Sequence, residues 1–475
     1  MENLKKFYIG GQWVDPVSDA TMPVLNPATE ESIGTVALGN ATDVDKAVAA
    51  AKSAFDTVSQ LGKATRLALL KKLKARTEDR LEDLAQAMRM EMGAPITMAR
   101  DVQADAAIGH LQGFIDALEQ LDERETLANG DILLREPIGV CGLITPWNWP
   151  MNQIALKVVP ALATGCTCIL KPSEYTPISA MIYAEIIHDA GYPPGVFNLV
   201  NGDGPTVGAE LSRHQDVQMM SFTGSTRAGI AVTRDAAETV KRVTLELGGK
   251  SPNLVFADCD LEARVTASVQ ECMFNTGQSC DAPTRLLVER RCYDDVLKIA
   301  KRVAEDIAPG DPAQEGDHIG PLFDRIQFDR VQRMIQIGID EGATLLAGGP
   351  GKPDGFETGW FVKPTIFGDV SNGMRIAQEE IFGPVLVIIP FSDEDEAIRL
   401  ANDTPYGLAA FVQTGSLNRA ERVAARLRAG AVHVNGAGLN YGSPFGGYKQ
   451  SGNGREGGIM GLEDYLETKT LHGIS

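Results

Sequence analysis

The sequence lacks the features that mark nucleic-acid-binding or membrane proteins. Its 475 residues carry 44 Lys and Arg against 63 Asp and Glu, a net charge of −19, so no basic excess exists to neutralise phosphates. Residues 1–6 have no apolar core of the kind found in signal peptides, and no apolar run approaches membrane-spanning length. We therefore expect a cytoplasmic protein that binds neither nucleic acid nor membrane.

Cysteine and histidine are also sparse, and neither type is clustered. Seven cysteines, an odd number, in a chain without a signal segment fit a reducing compartment better than a disulfide framework. The six histidines form no Cys/His pairs at the spacing of a zinc site. We expect neither a structural disulfide nor a bound metal.

What the sequence does contain is a repeated alternation of short apolar runs and helical segments. Runs at 167–170, 196–200 and 219–222 each precede a helical pattern, and a second alternation begins near Leu261. Such alternation predicts parallel sheets with helices on both faces. Because 475 residues exceed the size of one ordinary core, we predict an α/β protein of two or three domains.

One cysteine stands in a different setting from the others. Cys280 closes the short polar turn 274–280, directly after the apolar run 269–274. A thiol at such a turn can reach a cleft and act as a nucleophile if it loses its proton. Structural cysteines are nevertheless more common, and Cys141, Cys166 and Cys168 lie in apolar runs where we expect inert, buried thiols.

Two glycine-containing loops follow predicted strands. Gly224 and Ser225 open a helix, where free N–H groups attract phosphate, although a helix start capped by Ser225 explains the pattern equally well. The loop that ends at Gly204 allows a second close approach of backbone to ligand. It is not the dinucleotide fingerprint G-x-G-x-x-G, because Gly208 comes one residue late.

Polar side chains stand at the ends of two other predicted strands. Lys171 and Glu174 could bind ribose hydroxyls, or they could form an ordinary surface salt bridge. Asn148, between two tryptophans, supplies uncharged N–H donors that suit an oxyanion, or it simply occupies a turn. Glu246 lies between two leucines, where an apolar setting would raise its pKa toward that of a general base, although strand alternation alone would point it to solvent.

Each signal is weak alone, but their joint order resembles the aldehyde dehydrogenase superfamily, in its NAD(P)-dependent, non-acylating form. The resemblance covers almost the whole chain and rests on Asn148, residues 171–174, 224–226, 246–250, 277–280, 380–384 and 444–447. It implies that Cys280 attacks the aldehyde, that Asn148 binds the oxyanion and that Glu246 activates the water that hydrolyses the thioester. It also implies a set of cofactor contacts: Trp147, Lys171, Ser173, Glu174, Gly204, Gly224, Ser225, Leu247, Glu380 and Phe382.

The resemblance further implies an architecture. Residues 1–119 and 138–247 would form a Rossmann-like cofactor domain, 248–445 an α/β catalytic domain, and 120–137 with 460–475 a small β extension. Because that extension exposes a sheet edge that must be covered, we expect a homodimer or homotetramer. We expect NAD rather than NADP, because the Glu174 carboxylate would repel a 2′-phosphate.

Rival interpretations come from other classes. A CoA-acylating relative would tend to lack Glu246, and a non-catalytic scaffold would not need to retain Cys280, Glu246 and Asn148 together. An esterase that uses the same thiol without a cofactor is a third. Two residues depart from the family pattern. Asp281 is expected either to reshape the aldehyde pocket or to disfavour acidic substrates, and His433 is expected to be a core or interface residue. The sequence does not identify the aldehyde, and a neutral aliphatic or aromatic one is our default.

Overall fold

The structure, a computed structural model, describes residues 3–474. In chain order its strands are β1 Phe7–Ile9, β2 Gln12–Val14, β3 Thr21–Leu25, β4 Ser32–Ala37, β5 Arg124–Thr126, β6 Ile132–Pro137, β7 Val140–Ile144, β8 Thr167–Lys171, β9 Phe197–Leu199, β10 Met219–Thr223, β11 Arg242–Glu246, β12 Pro252–Val255, β13 Arg285–Glu289, β14 Thr344–Ala347, β15 Thr365–Gly368, β16 Val385–Phe391, β17 Ala409–Gln413, β18 Ala431–Val434, β19 Gly452–Asn453 and β20 Leu466–Leu471.

The α-helices are α1 Ala41–Val58, α2 Lys63–Asp79, α3 Leu81–Glu91, α4 Ile96–Met98, α5 Asp105–Gln120, α6 Pro150–Thr164, α7 Pro177–Asp189, α8 Ala209–Arg213, α9 Thr226–Ala236, α10 Leu261–Met273, α11 Tyr293–Asp306, α12 Arg325–Asp340, α13 Arg375–Gln378, α14 Glu394–Asn402, α15 Leu417–Ala424 and α16 Gly458–Glu463. A π-helical stretch joins α4 to α5, and another precedes α8. Over residues 3–474, no helix is both long and apolar enough to cross a membrane.

The first large sheet carries the predicted parallel alternation. Its eight strands run in the order β19-β11-β10-β7-β8-β9-β1-β2, with the five strands from β11 to β9 parallel and the outer ones antiparallel. Every residue of β7, β8 and β10 is buried, as expected of parallel strands that are covered by helices on both faces. The thiols of Cys141, Cys166 and Cys168 lie in this core.

The second large sheet holds the other half of the chain. Its seven strands run in the order β14-β15-β16-β13-β12-β17-β18 and are parallel except for the β14–β15 pair. Two apolar clusters cover its faces, and they include helices α10 and α11 on one side and α12 and α14 on the other. The predicted α/β architecture with two such layers is confirmed.

A small antiparallel sheet stands apart from both. It runs in the order β20-β6-β5, with Leu466 paired with Pro137 and Leu471 with Ile132. It therefore joins the carboxyl-terminal strand to the predicted hairpin extension. The domain boundaries and the covering of this sheet by a second chain stay predictions.

Local details differ from what the sequence pattern predicts at three places. The pattern predicts one long helical region over 63–91, but the helix is broken at Arg80, between α2 and α3. It predicts a helix over 206–212, which begins instead as a π-helical turn at Gly204. Thr42 is a plausible N-cap by residue type, but α1 is capped by Asn40, because Asn40 and Asp43 form a reciprocal capping box that satisfies two free N–H groups.

Candidate active site

A cleft of about 760 Å³, open to solvent, lies where strand ends of the two large sheets face each other. The first sheet presents the carboxyl ends of β7, β10 and β11 to the cleft, and ligands of open α/β sheets bind at such ends. Eight of the predicted site residues line this cleft: Trp147, Asn148, Gly224, Ser225, Leu247, Cys280, Glu380 and Phe382. The structure thus brings together residues that are up to 235 positions apart in the chain (382 − 147).

Cys280 is presented by a strained turn after α10. Asn275 and Thr276 have left-handed backbone angles, with φ of 51° and 57°, and Gly277 follows with φ of 68°. A Cβ on Gly277 would lie 2.1 Å from the Gly383 carbonyl oxygen, so only glycine fits this position. Strain of this kind is typical of functional turns, and here it sets the thiol at the cleft.

The amide of Asn148 is held beside that turn. Its Nδ2 donates to the Gln278 carbonyl oxygen at 2.9 Å, and Asn148 is 4 % exposed. The Gln278 side chain in turn accepts from the Phe323 N–H at 3.0 Å. One N–H of the Asn148 amide is used by this contact, and the other is available to a ligand at Cys280.

The surroundings of the Cys280 thiol disfavour its thiolate form. Burial raises the pKa of Cys280 well above its ordinary value, and the nearby carboxylates of Asp281, Glu380 and Glu246 raise it further. A thiol in such a setting reacts as a nucleophile only after a base takes its proton. Of the three carboxylates, Asp281, the departure noted in the sequence, has the largest effect on this pKa.

Glu246 ends β11 and is 4 % exposed, so the expectation that strand alternation would point it to solvent is wrong. The parallel sheet covers both faces of β11 at this point, which is why alternation does not apply. Neither carboxylate oxygen has a hydrogen-bond partner among the described residues. Burial raises the pKa of Glu246, and the charge of Glu456 adds to the rise, while Lys157 and Arg455 oppose it.

Lys157 and Glu456 form a buried pair next to this carboxylate. The Lys157 ammonium donates to Glu456 at 2.5 Å and to the Ser221 hydroxyl at 3.0 Å, and Lys157 is fully buried. Sequence reasoning missed both residues. A lysine in the middle of the apolar helix α6 was the one local signal, because a lone buried charge needs a partner from elsewhere in the chain.

At the opposite end of the site, Lys171 ends β8. Its ammonium donates to the Gly202 carbonyl at 2.6 Å, to the Pro172 carbonyl at 2.9 Å and to Glu174 at 3.2 Å. The Lys171–Glu174 pair is thus largely buried and is not the exposed surface pair considered above. Ser173 is 6 % exposed and accepts from the Tyr175 N–H at 3.3 Å, an ordinary turn contact.

The loops that carry Gly204 and Gly224 follow β9 and β10, which are separated in the sheet by β7 and β8. A Cβ on Gly204 would meet no atom within 4 Å, so its backbone faces open space. Ser225 is the N-cap of α9, and its hydroxyl accepts from the Ala228 N–H at 3.3 Å. The capping interpretation of Ser225 is therefore realised. Gly224 and Ser225 line the cleft, so α9 begins at its wall, and the N-terminus of a helix suits a phosphate.

Aromatic rings and the Glu380 carboxylate line another side of the cleft. Trp147 stacks on Phe323 with ring centroids 3.6 Å apart and meets Phe382 edge-on at 5.4 Å. The Glu380 carboxylate accepts from the Gly249 N–H at 2.9 Å. Phe323, Gln327 and Arg330 also line the cleft. The sequence did not predict these three residues, because no local motif marks the start of α12 as part of a site.

His433 is half-buried on β18, stacked on Phe411 with ring centroids 4.8 Å apart and within hydrogen-bond distance of the Ala437 carbonyl at 2.9 Å. It therefore packs as the expected satisfied histidine, and its charge lowers the pKa of Asp281 against the rise that burial causes. The other six cysteines are free thiols in the described chain, and five of them are buried.

The arrangement of the two large α/β sheets is that of solved aldehyde dehydrogenases, a class of oxidoreductases that act on aldehydes. The model of the aldehyde dehydrogenase family matches residues 13–471, and the chain belongs to that family. The expectation raised by its motifs is thereby confirmed.

Individual relatives are similar over their full length. The chain is 52% identical over 474 residues to 3-succinoylsemialdehyde-pyridine dehydrogenase of a Pseudomonas species, covering 100% of this chain and 99% of that one. A variant of aldehyde dehydrogenase C from Pseudomonas syringae, solved in complex with NAD+ and octanal, is 50% identical with a TM-score of 0.99, covering 100% and 98% of the two chains. An aldehyde dehydrogenase from Mycobacterium tuberculosis, solved with NAD+, is 39% identical with a TM-score of 0.96, covering 98% and 97%.

Proposed function

We propose that this enzyme oxidises a neutral aldehyde to its carboxylic acid with NAD, through a thioester on Cys280. The observation that carries the proposal is the pairing of a cleft thiol with Glu246, a buried carboxylate whose two oxygens have no partner within residues 3–474. An unpartnered buried carboxylate is costly for stability, and a role in chemistry explains why it is kept.

In the first step the Cys280 thiol loses its proton to solvent water in the open cleft, and the thiolate sulfur forms a bond to the aldehyde carbon as the C=O π bond opens to an oxyanion. The negative charge that develops on oxygen is stabilised by the free N–H of the Asn148 amide and by the backbone N–H of Cys280. When bound, NAD accepts the hydride that leaves this carbon. Glu246 then takes a proton from the water that attacks the thioester, the C–S bond breaks and the acid is released.

The residues present fit NAD at the other end of the cleft. Free N–H groups of α9 suit the pyrophosphate, and the pair of Lys171 and Glu174 suits ribose hydroxyls at the end of β8. Glu380, fixed by the Gly249 N–H, would contact the ribose beside the nicotinamide, and Trp147 and Phe382 would wall that side. Relatives solved with NAD+ support this choice of cofactor.

Preference for NAD over NADP would come from Glu174. Its carboxylate would repel a 2′-phosphate, and it also occupies one donor of the Lys171 ammonium at 3.2 Å. Replacement of Glu174 by Gln should raise the NADP/NAD ratio of kcat/KM by roughly tenfold. Glu185→Gln, which removes a carboxylate on α7 that pairs with Arg80, is the matched control. An unchanged ratio in Glu174→Gln would refute this assignment.

The nature of the aldehyde is supported by two relatives and by Asp281. One relative is named for a semialdehyde that carries a pyridine, and the other was solved with octanal. The carboxylate of Asp281 follows the nucleophile directly and disfavours anionic substrates near the thiol. A neutral aliphatic or aromatic aldehyde is the substrate class that fits.

The test is NADH formation by the purified protein against a panel of aldehydes, with NAD or NADP and with or without CoA. We expect reduction of NAD without CoA, lost in Cys280→Ser. Turnover that requires CoA would remove Glu246 from its assigned role. Ester hydrolysis without NAD reduction would instead support the esterase interpretation.

A further inference from the structure

One side chain of helix α6 differs from all others of that helix. From Pro150 to Thr164 every residue is buried except Asn152. The residue before the helix, Trp149, is also partly exposed. Trp149 and Asn152 are thus the two residues of segment 149–164 that reach solvent, and the solvent beside them is called the opening below.

That opening is on the thiol side of the site. The Trp149 indole N–H donates to the Ser279 hydroxyl at 2.8 Å, and its ring centroid lies 6.1 Å from that of Phe274. Both partners belong to the turn that ends at Cys280, and Phe274 is 40% exposed. Because Trp149 contacts the turn of the thiol and Asn152 lies three residues further along the chain, in the first turn of α6, we take the solvent side of Asn152 as the path of the substrate chain.

A buried histidine fixes the Asn152 amide. His110 Nε2 lies 2.7 Å from the Asn152 Oδ1, and His110 is 5% exposed. Burial lowers the pKa of His110 to about 4, so the ring is neutral near pH 7. The Asn152 oxygen accepts the Nε2 proton, and its NH₂ group, which has no acceptor anywhere in residues 3–474, is free to donate into the opening.

A loop of the second sheet covers this pair. The Tyr441 ring meets His110 edge-on, with centroids 4.9 Å apart, and is 44% exposed. Two glycines one turn apart on α5 permit the contact, because a Cβ on Gly109 would lie 2.4 Å from the Tyr441 ring and one on Gly113 would lie 2.8 Å from the Gly442 nitrogen. The loop that carries Tyr441 therefore packs directly against α5 beside the His110–Asn152 pair.

We infer that Asn152 determines substrate specificity by donating a hydrogen bond to a neutral acceptor oxygen, such as a ketone, on the chain of the aldehyde. His110 acts as a positioning residue that keeps the NH₂ group turned toward the substrate. This inference rests on the proposed function. A neutral acceptor is favoured over a carboxylate because Asp281 stands next to the thiol at the same side of the cleft.

The experiment compares octanal with 4-, 5- and 6-oxooctanal, which differ only in one keto oxygen and its position. A neutral hydrogen bond to a preorganised donor should raise kcat/KM of at least one oxo compound over octanal by roughly tenfold, mostly through KM. Asn152→Asp keeps the shape and the acceptor for His110 but replaces the donor by an oxygen. It should abolish that advantage, measured as the ratio of kcat/KM for the oxo compound to kcat/KM for octanal.

Two further variants distinguish loss of the hydrogen-bond donor from a general disturbance of the fold. Asn152→Leu should also abolish the keto advantage, and it should raise kcat/KM for octanal. His110→Leu should reduce the advantage through KM alone, because the amide then turns freely. Gln112→Leu, an exposed change on the outer face of α5, is the matched control and should preserve the ratio.

The outcomes are distinct. If the wild type oxidises octanal and shows no preference for any oxo isomer, the inference is overturned while the proposed function stands. An oxo/octanal ratio that Asn152→Asp and Asn152→Leu leave intact overturns it as well. If no aldehyde of the series is oxidised with NAD or NADP, the proposed function itself fails.

Discussion

Two buried carboxylates of this chain, Glu91 and Glu246, have similar environments by burial but opposite hydrogen bonding. Glu91 ends α3 at 2% exposure, and its two oxygens accept from the first-turn N–H groups of Ile178 at 2.6 Å and Ser179 at 3.0 Å. Glu246, at 4% exposure, has no partner for either oxygen among the described residues. Glu91 serves as the cap that α7 lacks from its own N-cap residue.

Burial raises the pKa of both groups, to about 7 for Glu91 and well above its ordinary value for Glu246. A raised pKa therefore does not separate a structural carboxylate from one poised for chemistry. The separating feature is whether the polar atoms are satisfied, because an unpartnered buried group costs stability that only function explains. The predictions below test this distinction.

The largest effect is expected from Glu246→Gln. If Glu246 activates the water, kcat should fall by about 10³-fold, while one equivalent of NADH still forms in a burst because acylation precedes the lost step. Thermal stability should be unchanged or higher, since the change removes an unpartnered carboxylate. Rapid-mixing measurement of NADH checks both statements. Glu91→Gln is the matched control and should retain kcat within about twofold. Loss of the burst in Glu246→Gln would contradict the assignment.

The second prediction concerns stability and pH. Glu91 has a folded-state pKa of about 7, raised from the ordinary 4.5, so its favourable contribution is complete below pH 4.5 and is lost as the pH rises through 7. The loss amounts to about 3 kcal/mol. Denaturant midpoints measured from pH 4.5 to 8 should fall more steeply in the wild type than in Glu91→Gln. Parallel pH profiles would show that Glu91 titrates normally.

These carboxylates also show what the sequence does and does not determine. The amphipathic period of residues 261–273 predicts a helix and the short apolar run 409–413 predicts a strand. The structure has these elements with the same bounds, Leu261–Met273 and Ala409–Gln413, because both signals are local. The orientation of Glu246 was not predictable, since alternation fails where both faces of a sheet are covered. The contact between Lys157 and Glu456 was not predictable either, because these residues are 299 positions apart in the chain. Burial partners of this kind are set by packing, not by local pattern.

The residues of the cleft likewise divide into those that local motifs predict and those that only tertiary packing brings there. Cys280 and Asn148 could be selected from motif order, whereas Phe323, Gln327 and Arg330 carry no motif and are brought to the cleft by α12. The contact between His110 and Asn152 likewise joins two helices, α5 and α6, and no local sequence pattern predicts it. The roles of the selected residues remain predictions, which the variants described here test.

The third prediction concerns the charges around Glu246. Because burial, and next the charge of Glu456, raises the pKa of Glu246, deacylation should increase as the pH rises through that raised pKa. Glu456→Gln removes one of these charges and should move the rising limb of the kcat–pH profile to lower pH. Glu136→Gln, which breaks an exposed pair with Lys469, is the control and should leave the limb in place. A limb that stays fixed in Glu456→Gln would mean that another group governs it.

The smallest effect is expected at Asp281, the partly buried carboxylate beside the nucleophile. Burial is the main cause of the raised pKa of the Cys280 thiol, and the charge of Asp281 is the next. The same charge should repel an anionic group on the substrate close to the thiol. Asp281→Asn should therefore raise kcat/KM for succinic semialdehyde by roughly tenfold relative to butanal, since solvent at the mouth screens part of the charge. It should also shift the pH dependence of thiol alkylation to lower pH. If alkylation shifts while the substrate ratio does not, Asp281 governs the thiol alone and the tail of the substrate lies beyond its reach.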